Sequence, residues 1–320
     1  MNASLRILLL LLAFALSTPV PAQTYPSKPI RMVVGIAPGG GLDAATRLIS
    51  GKLAEALGQP FVVENRPGAG GTLAAGVVAK SPADGYTLLF ATTTLLIVSH
   101  MYDNLPFDPV KSFTAIGGAG AELLVVVVNP GVPARNTPEL IALLKANPGK
   151  YSFGSPGVGT LHHMAMELFK KQAGVDMVHV PYKGAALIVP DLINGTLPIA
   201  IMSVASTVPQ AKAGKVRPIA ISSPVKLPLA PDWRPLADHL PGFDASSARY
   251  ILAPAGTPPD VVARLSATMN SVLSAEDVQA RFIKQGGTAT FVPPEEVNKL
   301  IRTDTPKWGL LVKETGARPQ

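Results

Sequence analysis

Cysteine is absent from the 320 residues. That excludes disulfides, a thiol nucleophile, a thiolate metal site and lipid attachment through an N-terminal cysteine. Aromatic residues are scarce at 6%, and the 28 Lys and Arg are scattered, with no run longer than Lys170-Lys171. Without a basic stripe or interleaved stacking platforms, nucleic acid is not an expected partner. No G-x-x-x-x-G-K-[ST] sequence occurs, so a P-loop is excluded. Beyond the N-terminus there is no apolar run of about 20 residues, the length that spans a bilayer.

Glycine (29) and proline (32) are plentiful, and the net charge of +7 would draw in small anions rather than bind polymers. Met1 to Ala22 has a short basic start at Arg6 and an apolar stretch from Ile7 to Leu16. Val20 and Ala22 then stand at the −3 and −1 positions of a cut after Ala22. This reads as a cleaved signal peptide and places the mature chain, from Gln23, in the periplasm.

Periodicity beyond Gln23 alternates between strands and helices. Arg31–Ile36, Phe61–Glu64 and Tyr86–Ala91 read as strands, with helices over 43–57 and up to Lys80 between them. The pattern repeats with strands over Ala121–Pro130, Lys150–Phe153 and Met177–Val180 and a helix over Leu161–Ala173. From Pro293 onward, helices are expected to pack on the first lobe. Such βαβ alternation implies parallel strands with flanking helices.

Each half places Gly- and Pro-rich loops after its strands: Pro38-Gly39-Gly40-Gly41, Gly68-Ala69-Gly70-Gly71, Ser155-Pro156-Gly157-Val158-Gly159-Thr160 and Lys183-Gly184. Ligands sit at the carboxyl ends of strands in open sheets of this kind. The first amides of each helix lack intrahelical partners, and glycine lets a ligand approach them closely. Each helix dipole adds about 0.3–1 kcal/mol for an anion when exposed, and up to about 2 when partly buried. The loops could thus hold an anion without arginine.

Other chemistries fit less well. Gly39, Gly41, Ala44 and Glu64 match a dinucleotide fingerprint, but an exported chain meets little NAD. His163 and Glu167 share a helix face at i, i+4, yet two ligands make no closed metal site. Ser155 lies outside a G-x-S-x-G elbow, and Ser223-Pro224-Val225-Lys226 carries a proline where a helix is needed. No acid–base pair is visible among the loops. No cofactor, metal or catalytic residue is expected. A secreted hydrolase using the same cleft, or a ligand sensor for a membrane kinase, are the alternatives to a binding protein.

The segments APGGGLDAATR, LGQPFVVENRPGAGG, SPADGYTLLFATT, LPFDPVKSFTAIG, YSFGSPGVGTLHHMAMELFK and VDMVHVPYKGAA, in this order, resemble the Bug family. These are extracytoplasmic receptors of tripartite tricarboxylate transporters. The resemblance implies a two-lobe α/β periplasmic binding protein fold, type II-like. Each lobe would be a mainly parallel sheet flanked by helices, with two crossovers as hinge. Lobe 1 would comprise 23–124 plus 246–320, and lobe 2 would comprise 125–245. The chain would act as a monomer that takes a small organic carboxylate and passes it to membrane permease subunits. By the same resemblance the cleft is lined by Pro38, Gly39, Gly40, Gly41, Asp43, Gly68, Ala69, Gly70, Thr92, Thr93, Ser155, Gly157, Gly159, Thr160, His163 and Lys183. Ser203 stands where relatives often carry Asp, and Ile36 replaces an aromatic residue. Both departures point to an acid without an amino group, either a di- or tricarboxylate or an aromatic carboxylate.

Overall fold

A computed structural model describes residues 25–39, 41–182, 184–224, 227 and 229–318. The expected signal peptide, Gly40, Lys183 and the second half of the Ser223–Lys226 motif, Val225 and Lys226, lie outside them. The strands are β1 (Ile30–Val34), β2 (Phe61–Asn65), β3 (Thr87–Thr92), β4 (Phe113–Glu122) and β5 (Leu124–Val128). They continue with β6 (Ser152–Ser155), β7 (Val178–Pro181), β8 (Ile199–Ser203), β9 (Arg217–Ile221), β10 (Ser247–Pro254) and β11 (Gly287–Val292). The helices are α1 (Gly41–Leu57), α2 (Thr72–Ala79), α3 (Thr93–Val98), α4 (Thr137–Ala146) and α5 (Leu161–Ala173). After these come α6 (Ile188–Asn194), α7 (Val204–Lys212), α8 (Pro259–Ser274), α9 (Glu276–Lys284) and α10 (Pro294–Thr315).

The strands form two sheets, in the orders β11-β4-β10-β3-β1-β2 and β7-β6-β8-β5-β9. The two-sheet α/β architecture is the expected one, but both sheets are mixed rather than mainly parallel. β1 pairs in parallel with β2 and β3, whereas β10 runs antiparallel to β3 and β4, and β11 to β4. In the second sheet β6 is parallel to β7 and β8, while β5 is antiparallel to β8 and β9. Four of the five antiparallel pairs involve β5 or β10, the strands with which the chain enters one sheet from the other.

Period-2 alternation fixes which face each strand buries. Ile30, Met32 and Val34 pack beneath α1, α8 and α9, while Val33 points to the opposite core. β5 is apolar on both sides, with Val126 and Val128 on one face and Val125 and Val127 on the other. That explains its unbroken run of hydrophobic residues. α1 ends at Gly58 and α5 at Gly174, each in the left-handed conformation of a C-terminal cap. The C-terminal segment is one helix, not several, and runs on through Pro306. Besides β4 and α3 it contacts α5 beside the second sheet, so it is not confined to the first lobe. No helix among the described residues is long and apolar enough to cross a membrane.

Candidate functional site

A cavity of about 260 Å³ opens between the two sheets. From the first come Ile36 after β1, Leu42 in the first turn of α1, Gly70 and Gly71 ahead of α2, Thr92 and Thr94 at the start of α3, Glu122 and Ser247. The second sheet contributes Pro156, Thr160, Leu161 and His162 at the start of α5. The first turns of α1 and α5 and the loop just ahead of α2 therefore converge on one space, from parts far apart in sequence.

Backbone geometry sets this up. Gly68, Ala69, Gly70 and Gly71 all have positive φ (128°, 46°, 64° and 95°), and Ala69 is the non-glycine among them. Such a run curls the chain tightly ahead of α2. Gly35 lets the loop close, because a Cβ there would sit 2.5 Å from the Gly71 Cα. In the second lobe Thr160 caps α5: its Oγ1 accepts from His163 N–H at 3.3 Å and donates to the Gly157 carbonyl at 2.8 Å.

Of the residues named from sequence, Gly70, Thr92 and Thr160 line the cavity. Gly41 is at its edge, where a Cβ would lie 3.9 Å from Glu122 Oε1. Pro38, Gly39 and Gly68 are exposed in the two first-lobe loops, with Ala69 beside them. Asp43 is turned into its own loop. It accepts from Gly39 N–H at 3.0 Å, Arg47 Nε at 3.0 Å and Asn65 Nδ2 at 2.8 Å. These partners, Arg47 first, hold its carboxyl down at about 2. Thr93 ties α3 to β10, accepting from Ala248 N–H at 3.1 Å. Ser203 caps α7, its Oγ accepting from Ser206 N–H at 3.4 Å, and it does not line the cavity.

Ser155, Gly157, Gly159 and His163 form a unit behind the cleft wall. Ser155 is fully buried, with Oγ 2.7 Å from His179 Nε2 and donating to the Gly157 carbonyl at 3.1 Å. His163 Nδ1 accepts from Gly159 N–H at 3.3 Å. The His163 and His179 rings stack at 3.8 Å, with Phe153 against His179 at 4.9 Å. Burial pushes the two imidazoles down to about 3 and about 4. The sequence reading saw no acid–base pair here, since His179 is 24 residues from Ser155. Ser155 is nevertheless walled off from solvent, and its bonds to Gly157 shape the loop. Among the described residues no group of three or more His, Cys, Asp or Glu is placed to hold a metal.

Two residues escaped the sequence reading. His162 faces the cavity in place of its neighbour His163, and burial pushes it down to about 4. Glu122 closes β4 and is the one acidic residue among the described lining. Burial pushes its carboxyl up, opposed by Arg249, whose Nη2 is 4.0 Å away.

A two-lobed molecule with helix ends facing a shared interlobe cavity has the fold of a periplasmic binding protein. Residues 45–317 match the tripartite tricarboxylate transporter family receptor, TctC, and the chain belongs to that family, as the Bug-type segments indicated. It is 33% identical to protein BugT of Bordetella pertussis over 95% of this chain and 94% of that one. The solved structure of R. palustris Rpa4515 with adipate is 29% identical, with a TM-score of 0.80 over 92% of this chain and 100% of that one. MatC from Rhodopseudomonas palustris with bound malate is 27% identical, with a TM-score of 0.76 over 90% and 100%.

Proposed function

We propose that this protein captures a small organic carboxylate in the interlobe cavity and delivers it to the membrane permease subunits of a tripartite tricarboxylate transporter. The observation that carries this reading is the convergence of the first turns of α1 and α5 and the loop just ahead of α2 on one cavity. Their free amides and dipoles favour an anion, and no Lys or Arg is among the described lining residues. Relatives that hold adipate and malate support the same chemistry. On this reading the signal peptide is removed after Ala22, and a monomer works in the periplasm without catalysis or cofactor. Lobe 1 (23–124 and 246–320) and lobe 2 (125–245) close about the two crossovers.

The test is a thermal-shift screen of mono-, di- and tricarboxylic acids on the purified mature chain. A ligand at 100 times its Kd adds about 2.7 kcal/mol, which raises the melting midpoint by several degrees. A flat response to every acid overturns the reading.

A further inference from the structure

Resting on that reading, we propose that the cleft selects carboxylates whose body is apolar, a single ring or a short methylene chain, over hydroxylated acids of the same skeleton. Ile36 and Leu42 impose the choice from the side of the first sheet, and Leu161 from the side of the second. All three line the cavity, together with Leu89, Phe90 and Leu95. Ile36 and Leu42 are half-buried at the edge of the core beneath α1, so part of each side chain is left for a ligand. Leu161 opens α5 and is 1% exposed. The cavity, about 260 Å³, is smaller than pockets that hold drug-sized molecules, which start at about 300 Å³, so one ring or a short chain is the size that fits.

Polar side chains in the described lining are confined to two places. Thr92, Thr94, Glu122 and Ser247 gather where β3 and β4 end and β10 begins, and Ser247 pairs with Glu122 across the ladder. Thr160 and His162 stand at the start of α5, and the Thr160 hydroxyl is already engaged with Gly157 and His163. Burial keeps the His162 imidazole neutral at pH 7, so it adds no cation. A ligand carboxylate therefore meets backbone amides, while the body attached to it meets carbon. A hydroxyl on that body would leave water without a partner on Ile36, Leu42 or Leu161, a loss that a methylene at the same place does not suffer. Such a wall reads the body and not the ends, so monoacids and diacids pass alike. Ser203 does not line the cavity, so of the two departures seen in the sequence Ile36 is the one that bears on the ligand.

The test is calorimetry on the wild-type mature protein with pairs that share a skeleton and differ in hydroxyls: adipate against galactarate, cyclohexanecarboxylate against quinate, and succinate against tartrate. In each pair that binds, the apolar member is expected to bind about tenfold or more tightly, the scale on which a hydrophobic pocket rejects an added hydroxyl. A hydroxylated acid that comes within tenfold of its partner overturns the inference and leaves the receptor reading standing. That outcome needs no variant to fold. Citrate or malate as the tightest ligand of the thermal-shift screen overturns it too. Ile36→Thr and Leu42→Asn, each confirmed folded by circular dichroism, add a hydrogen-bonding group to the wall and should each narrow the gap about threefold or more. A gap unchanged in either folded variant overturns the inference. Failure of every acid in the pairs and in the wider screen removes both readings.

Discussion

Asp43 stands in the first turn of α1, where a carboxylate is favoured whatever its role. Its i, i+4 partner Arg47 was legible in the sequence, but Asn65, 22 residues away on β2, was not. Only that second partner shows the side chain to be consumed by the loop. Asn65 also donates to the Ile36 carbonyl at 3.1 Å, so the trio pins the chain that leads into α1. The folded carboxyl titrates at about 2, below its ordinary 3.8. Between those values the unfolded chain binds more protons, so the stabilisation is present above about pH 4 and is lost as pH falls through about 2. Asp43→Asn should therefore melt below wild type at pH 6, with the gap closing on acidification toward pH 2. A gap that stays constant in melts across that range would show that the charge on Asp43 is not what stabilises the loop.

Elements were legible where one segment carries its own pattern: β1, α1, β2, α5 and β5 all lie close to their expected places. β4 was not, because FTAIGGAGAE follows Thr114 and Ile116 with three glycines, which strands disfavour. Its glycines answer to neighbours: a Cβ on Gly117 would lie 2.8 Å from Phe291 Cε2, and one on Gly120 1.8 Å from the Thr288 carbonyl oxygen. Ala121–Pro130, read as one strand, is two. The break falls at Leu123, whose N–H donates to the Gly286 carbonyl and whose own carbonyl accepts from Val204 N–H. One residue is thereby tied to both sheets, and Glu122 is left facing the cleft.

The helix α5 shows a similar dependence on distant partners. Its His163 stacks on His179 of β7, and that pair supports the Ser155–Gly159 loop. Both imidazoles titrate below their ordinary 6.5 when folded, because burial disfavours their charge, with Lys170 nearby adding to it. The unfolded chain then binds more protons below about pH 6.5, so stability is intact above that value and falls as pH drops toward about 4. His179→Gln keeps a hydrogen-bonding group for Ser155 but removes one such proton. Its melting temperature should fall less than wild type's between about pH 6.5 and pH 4. A slope identical to wild type's would exclude His179 as a source of acid sensitivity.

At the scale of the molecule, one apolar core runs through both sheets: Leu89 and Ala115 of the first join Trp308 of α10, and Phe169 of α5 and Val126 of β5 continue it into the second. Near the cavity the two lobes also touch directly. A Cβ on Gly159 would lie 2.5 Å from Met101 Sδ and 3.6 Å from Val98 Cγ1, and Met101 is 8% exposed in that contact. The loop that shapes the start of α5 therefore rests on the chain just after α3 with no space to spare, and closure of the cleft is predicted to depend on this seam. Gly159 has φ of 77°, so a substitution there would strain the backbone as well as fill the gap. Met101→Trp adds bulk from the other side without that strain. It should hold the lobes apart, lowering carboxylate affinity about tenfold. It should also abolish the decrease in radius of gyration that small-angle scattering is expected to record when ligand is added to wild type. Met101→Ala, which removes bulk at the same seam, should keep that decrease. If Met101→Trp binds and contracts as wild type does, the seam between Gly159 and Met101 does not govern closure.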